Sequence, residues 1–128
     1  MKLTILGSGT SQGVPVIACQ CPVCRSTDRQ DKRLRSSAML DINGKKIVFD
    51  AGPDFRYQML RANVQDVRAI LLTHEHKDHI GGLDDVRAFN WVKKGPVDVY
   101  GSEKTREVVY KDFSYAFAKS RYPGVPEI

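Results

Sequence analysis

Polar and apolar positions alternate over residues 2–6, residues 67–72 form an apolar stretch, and turn-forming residues separate these and the other short stretches of the chain. A period of two residues is typical of a β-strand that buries one face. Between two of the stretches stands Asn43-Gly44, a dipeptide suited to the positive φ angles of a type I′ turn, which predicts a β-hairpin. The strands are predicted over residues 2–6, 36–42, 45–49, 67–72 and 97–100.

Apolar residues recur at helical spacing in three further stretches. The longest of them follows Ser102, a residue type that caps helix N-termini, and it places Val109, Phe113 and Phe117 four residues apart as a buried stripe. Because strands and helices are mixed along the chain, the fold class is predicted to be α/β or α+β. The helices are predicted over residues 54–62, 83–89 and 103–119.

The composition is that of one globular domain: 128 residues, of which 41% are hydrophobic and 27% charged. The N-terminus lacks the apolar region of a secretory signal, and no apolar run approaches the ~18 residues that a membrane helix needs. We therefore expect a cytoplasmic protein with no membrane partner.

The net charge is +5, because 20 Lys and Arg residues oppose 15 Asp and Glu residues. This balance suits an anionic small substrate or a nucleic acid. The basic residues cluster at one place and have no aromatic residues between them, which favours a solvated loop over a nucleic-acid surface. The cluster consists of Arg29, Lys32, Arg33 and Arg35.

All three histidines of the chain lie in one motif, H-x-H-x-D-H, which is formed by His74, His76, Asp78 and His79. The motif directly follows a predicted strand, where a rigid sheet can aim side chains. Neutral imidazoles bind borderline divalent metals, and a carboxylate adds a harder ligand that offsets the charge of the ion. Four such groups could serve two neighbouring ions, whereas the alternative is a charged surface turn.

The three cysteines form a second candidate site, C-x-C-x-x-C, within a long irregular segment that runs from Gly7 to about Leu34. An odd number of cysteines in a chain without an export signal argues against disulfides. The spacing of Cys19, Cys21 and Cys24 allows three thiolates to face one soft ion, which predicts a structural Zn²⁺ site. The alternative is three reduced thiols in a loop.

The motif THEHKDHIGG, preceded by Asp50 in IVFDAG, resembles the metallo-β-lactamase superfamily. The motifs GSGTSQGVP and FDAGPDFR, together with the cysteine cluster, resemble the branch of that superfamily that contains phosphoribosyl 1,2-cyclic phosphate phosphodiesterase. The resemblance implies a four-layer αββα sandwich. Residues 1–128 would form its N-terminal half, a domain that is truncated at the C-terminus.

The resemblance also implies roles for individual residues. His74 and His76 would hold one divalent ion, and Asp78 and His79 would hold a second, with Zn or Mn as the metal. Asp50 would brace the histidine loop by hydrogen bonding, so Asp50 and Asp78 are the candidate catalytic-site residues. The remaining ligands come from the C-terminal half in this family.

A metal-dependent phosphodiesterase that acts on a small cyclic or linear phosphodiester is the function that these features favour, because two close metal ions can activate a water and clamp phosphoryl oxygens. The alternatives are a nuclease resembling ribonuclease Z and a non-catalytic metal-binding domain. Since half of the fold would be missing, we expect a C-terminal segment of the same protein or a second copy of the chain as a partner.

Overall fold

A computed structural model of the chain describes residues 1–120, 122 and 124–128. Its strands form one five-stranded sheet in the order of the sequence. The first three strands run antiparallel to one another, and the last two run parallel to the third. The strands are β1 (Lys2–Gly7), β2 (Ser37–Ile42), β3 (Lys45–Phe49), β4 (Ala69–Leu71) and β5 (Asp98–Tyr100).

The predicted hairpin is confirmed, because β2 pairs with β3 across a tight turn. Asn43 and Gly44 have φ angles of 53° and 84°, as a type I′ turn requires. The side chain of Asp41 accepts a hydrogen bond from the Gly44 N–H at 2.8 Å, which closes the turn. Strands β4 and β5 are each shorter than their predicted ranges.

Five α-helices accompany the sheet among the described residues. Helix α5 begins where predicted, since the Ser102 hydroxyl accepts from the Thr105 N–H at 3.2 Å. Three further turns have 3₁₀ geometry, at Arg29–Asp31, Leu83–Val86 and Ser114–Phe117. The α-helices are α1 (Pro22–Arg25), α2 (Phe55–Arg61), α3 (Lys77–Ile80), α4 (Arg87–Lys93) and α5 (Glu103–Asp112).

The predicted single helix over 103–119 is wrong, because α5 ends at Asp112 and a 3₁₀ turn follows it. Val109 and Phe113 are buried as expected, but Phe117 is 37% exposed. The tighter turn rotates Phe117 out of the stripe and places its ring against Tyr110, with 4.3 Å between the ring centroids. The predicted helix over 83–89 is likewise divided into a 3₁₀ turn and α4.

One face of the sheet packs against the helices and forms a single hydrophobic core. Every second residue of the strands points into this core. The helices meet these strand residues with Phe55, Met59, Phe89 and Val109, which are at most 7% exposed. The core residues of the sheet include Leu6, Met39, Val48 and Ile70.

The opposite face of the sheet, here called the open face, is also apolar but is not covered by the described residues. Leu3 and Ile5 on β1 are 61% and 60% exposed. The accessible area of the chain is 8336 Å², whereas about 6,800 Å² is typical of a folded monomer of this mass. The open face consists of Leu3, Ile5, Ala38, Leu40, Ile47, Phe49 and Leu71, which lie opposite one another across the strand pairs.

The described residues therefore form one sheet and one helical layer, which are two of the four layers that the resemblance implies. None of their helices combines the length and the apolar character that crossing a bilayer requires.

Candidate metal centre

The histidine motif begins in a loop that leaves the sheet at the C-terminal end of β4, and it ends in α3. The backbone of Leu72 still pairs with β5, since its N–H donates to the Tyr100 carbonyl at 2.7 Å. The chain then bends at Thr73 and Glu75, and His76, whose backbone is extended, precedes α3. The Ala51 N–H donates to the His79 carbonyl at 2.8 Å, so the loop is fastened to the segment that follows β3.

The four predicted ligands lie beside one another at this position. The ring centroid of His74 is 4.6 Å from that of His76 and 3.9 Å from that of His79. The Nε2 atom of His79 lies 3.1 Å from Oδ2 of Asp78. Three imidazoles and one carboxylate thus share a small volume at the edge of the sheet, where they could hold divalent ions. That they bind metal stays a prediction.

Asp50 braces this loop from below and is only 5% exposed. One of its carboxylate oxygens accepts the Thr73 N–H at 2.8 Å, and the other lies 2.8 Å from Nδ1 of His79. A carboxylate at Nδ1 favours the tautomer whose Nε2 is free to bind a metal. Nε2 of His79 is the atom that faces Asp78, so the contacts of Asp50 match the bracing role that the resemblance implies.

Thr73 also supports the candidate metal centre, although the sequence did not predict a role for it. Its hydroxyl donates to the Asp50 carboxylate at 2.9 Å and lies 3.0 Å from Nδ1 of His74. Thr73 therefore links the Asp50 carboxylate to His74, a second candidate ligand. Its position, directly before the first histidine, is the signal that could have identified it.

Two ion pairs whose lysines are exposed connect the outer side of the histidine loop to α5, and pairs of this kind contribute little to stability. Glu75 pairs with Lys104, and Lys77 pairs with Asp112. The hydrogen bond from Lys104 holds the pKa of the Glu75 carboxyl below its ordinary value. Charged residues thus alternate with the candidate ligands and point away from them, toward the helix.

Two glycines allow the loops around the centre to approach closely. A Cβ on Gly52 would lie 2.0 Å from the carbonyl oxygen of Asp78, and a Cβ on Gly82 would lie 2.1 Å from the carbonyl oxygen of Gly52. No side chain of any kind fits at these distances, because both obstacles are backbone atoms. The close packing of these loops therefore requires glycine at Gly52 of the DAG motif and at Gly82 of the GG motif.

The three cysteines also come together, with their sulfur atoms all within 4.8 Å of one another. In the part of the chain that the structure describes, no other group of three potential ligand residues is gathered this tightly. Cys21 caps α1, and the Cys24 N–H donates to its Sγ at 3.4 Å. This hydrogen bond, with those from the Cys19 and Cys24 thiols, lowers the pKa of the Cys21 thiol, and a thiolate is the form that binds metal.

We expect Cys21→Ser to loosen the segment between Gly13 and Leu34 while leaving metal binding at the histidines intact. The reason is that serine removes a soft ligand from the cysteine site but touches none of the histidine donors. Limited proteolysis, together with metal content, measures both effects. Unchanged cleavage of the segment combined with loss of metal from the histidines would show that the roles of the two sites are reversed.

Residues 45–127 match the sequence model of the family described as "Beta-lactamase superfamily domain". The chain belongs to this superfamily. A solved diphosphatase of the PhnP family is 46% identical to the chain and superimposes with a TM-score of 0.86 over 94% of this chain and 49% of that one. The Zn²⁺-bound PqqB of Methylobacterium extorquens is 28% identical, with a TM-score of 0.72 over 87% of this chain and 40% of that one.

A protein of Porphyromonas gingivalis named octanoyltransferase is 46% identical over 127 residues, which are 98% of this chain and 25% of that protein. The chain thus spans between a quarter and a half of the length of each of these three proteins. The predicted fold class and superfamily are confirmed by these matches. Superfamily relatives include hydrolases, and at least one of them binds Zn²⁺.

Proposed function

We propose that the chain supplies the metal-binding half of a two-metal phosphodiesterase that acts on a small cyclic or linear phosphodiester. The observation that carries the proposal is the convergence of His74, His76, Asp78 and His79 above the buried carboxylate of Asp50. The similarity to a diphosphatase, whose name denotes cleavage of a phosphate anhydride, supports phosphoryl chemistry.

The donor set suits borderline divalent ions such as Zn²⁺ or Mn²⁺. His74 and His76 would hold one ion, and Asp78 and His79 would hold the other. When bound, two such ions supply an ionised water near neutral pH and stabilise the charge on the phosphoryl oxygens. Asp50 keeps the Nδ1 proton of His79 in place, and Thr73 holds the loop on that carboxylate.

The contacts of the basic residues favour a small substrate over RNA, because two of these residues bind groups of the chain itself. Arg35 is paired with Asp54 at 3.0 Å, and the ammonium of Lys32 donates to the Ser26 carbonyl. Two of the four members of the predicted basic cluster are therefore engaged within the chain. A nuclease needs a wide row of free cations along the nucleic-acid backbone.

The structural site at the cysteines forms the second part of the proposal. Three sulfurs within 4.8 Å provide three of the four ligands that a structural Zn²⁺ requires. The fourth ligand would come from another segment or from water. We assign to this site a role in ordering the segment around α1 and no role in chemistry.

The open face leads us to propose a partner that adds a second sheet. The area exposed beyond that of a typical monomer is about 1,500 Å², which is roughly twice the ~800 Å² that each partner buries in a standard interface. A hollow of about 250 Å³ lies at the edge of the open face, and Ile5, Phe49 and Asp50 are among the residues that line it. A covering sheet would therefore also reach the candidate metal centre.

A reconstitution experiment tests this proposal. The 128-residue chain is assayed on bis(p-nitrophenyl) phosphate with Mn²⁺ or Zn²⁺, alone and with the C-terminal half of the PhnP-family diphosphatase that the chain does not match. We expect the chain alone to self-associate on size exclusion, because its apolar sheet face is bare, and to show negligible turnover. Adding the second half should yield a heterodimer with activity.

His76→Ala serves as the control, since it should assemble normally and remain inactive. A stable 14.4 kDa monomer that turns over the substrate at an enzyme-like rate would contradict the need for a partner. A self-associated chain that is fully active alone would identify the second copy as that partner.

A further inference from the structure

Asp54 connects the end of the irregular segment that carries the cysteines (residues 7–34, here called the cysteine-bearing segment) to residues 50–54, which contact the histidine loop. Its Oδ2 accepts the backbone N–H of Arg35 at 2.8 Å, and its Oδ1 accepts from the Arg35 guanidinium at 3.0 Å. Both oxygens of one carboxylate are thus occupied by one residue. The two side chains are only 28% and 20% exposed, so water screens the pair less than it screens a surface ion pair.

Arg35 in turn holds the start and the end of the cysteine-bearing segment together. Its Nε donates to the Ser11 carbonyl at 2.9 Å, while its own carbonyl accepts from the Gln58 side chain at 2.9 Å. The next two residues extend the junction. The Ser36 hydroxyl donates to the Gly9 carbonyl at 2.8 Å, and the Ser37 hydroxyl donates to the Phe49 carbonyl at 2.9 Å.

Asp54 is also the last residue of the short segment 50–54, which begins at Asp50. Asp50 has a φ angle of 63°, which is unfavourable for a residue with a side chain. Such a conformation persists only where the surroundings hold the backbone on both sides. The bond from the Ala51 N–H to the His79 carbonyl holds it near Asp50, and the Arg35–Asp54 contacts hold its other end.

We propose that Asp54 is a positioning residue for the metal centre. Through residues 50–54 it fixes where Asp50 meets the histidine loop, in addition to fastening the cysteine-bearing segment. The inference rests on the proposed metal site at the histidines. It differs from a purely local role, in which loss of Asp54 would free the segment and leave the histidines unaffected.

Asp54→Asn is the variant that tests the proposal, because an amide cannot accept at both ends and must oppose one of the two Arg35 donors. The histidine site is measured by Mn²⁺ titration followed by electron paramagnetic resonance, since Mn²⁺ prefers nitrogen and oxygen ligands over thiolates. Limited proteolysis follows the cysteine-bearing segment. We expect Mn²⁺ affinity to fall about tenfold, with faster cleavage of the segment.

Cys21→Ser and Asp66→Asn are the matched controls. The first should speed cleavage with unchanged Mn²⁺ affinity, and the second, an exposed carboxylate, should change neither quantity. If Asp54→Asn gives the pattern of Cys21→Ser, the positioning role is overturned. A flat titration of the parent chain would instead overturn the metal site itself, and the Asp54 proposal with it.

Arg35→Lys decides the question if Asp54→Asn does not fold. It keeps the backbone N–H that donates to Asp54 but loses the guanidinium contacts to Asp54 and Ser11. We expect a smaller loss of Mn²⁺ affinity in the same direction. Unchanged affinity in this variant, with the segment cleaved faster, would overturn the proposal.

Discussion

Gly52→Ala is expected to remove metal binding at the histidines and to destabilise the chain by about 3 kcal/mol or more. The new Cβ would lie 2.0 Å from the carbonyl oxygen of Asp78 and 3.0 Å from its carbonyl carbon. Backbone atoms cannot rotate away as the end of a side chain can. The loop that carries Asp78 and His79 must therefore move, and with it two of the four candidate ligands.

The matched control is Gly95→Ala, because a Cβ at that position meets nothing within 4 Å. Urea denaturation compares the free energies of unfolding, and Mn²⁺ titration compares the metal sites. We expect Gly95→Ala to change neither by much. Equal stability of the two variants, or full Mn²⁺ binding by Gly52→Ala, would mean that the two loops do not depend on their close approach.

The parts of the structure that the sequence predicted are those whose causes are local. The Asn43-Gly44 turn follows from the φ angles that these two residues tolerate. The four candidate ligands lie within six consecutive residues, so any compact path of the backbone brings them close together. The cysteines approach one another for the same reason, since α1 is short and Cys21 caps it.

What the sequence did not predict depends on contacts between distant residues. The collision distance at Gly52 involves a backbone atom 26 positions later in the chain, and the Arg35–Asp54 pair joins residues 19 positions apart. The end of α5 was missed because no glycine or proline marks it. Both faces of the sheet are apolar, so the alternation of residues could not indicate which face the helices cover.

The sequence predicted the role of Asp50 but not that of Thr73. The resemblance implied the brace at Asp50, and the contacts to Thr73 and His79 agree with it. Thr73 has no charge and no metal-binding group to draw attention to it. Only the fold brings its hydroxyl between the brace and His74.

Metal content shows directly whether the histidine cluster binds divalent ions. The chain is expressed with added Mn²⁺ or Zn²⁺, purified without chelators and compared with His76→Ala by elemental analysis. We expect the parent chain to hold at least one equivalent more than His76→Ala, because the variant loses a donor from a cluster of four. Lys77→Ala is the control, since its side chain pairs with Asp112 and points away from the ligands.

We expect Lys77→Ala to keep the metal content of the parent chain. Two results would contradict metal binding by the histidine cluster. One is a transition-metal content below about a tenth of an equivalent in both the parent chain and His76→Ala, although metal was supplied during expression. The other is an equal, substantial content in these two proteins, which would locate the metal away from the histidines.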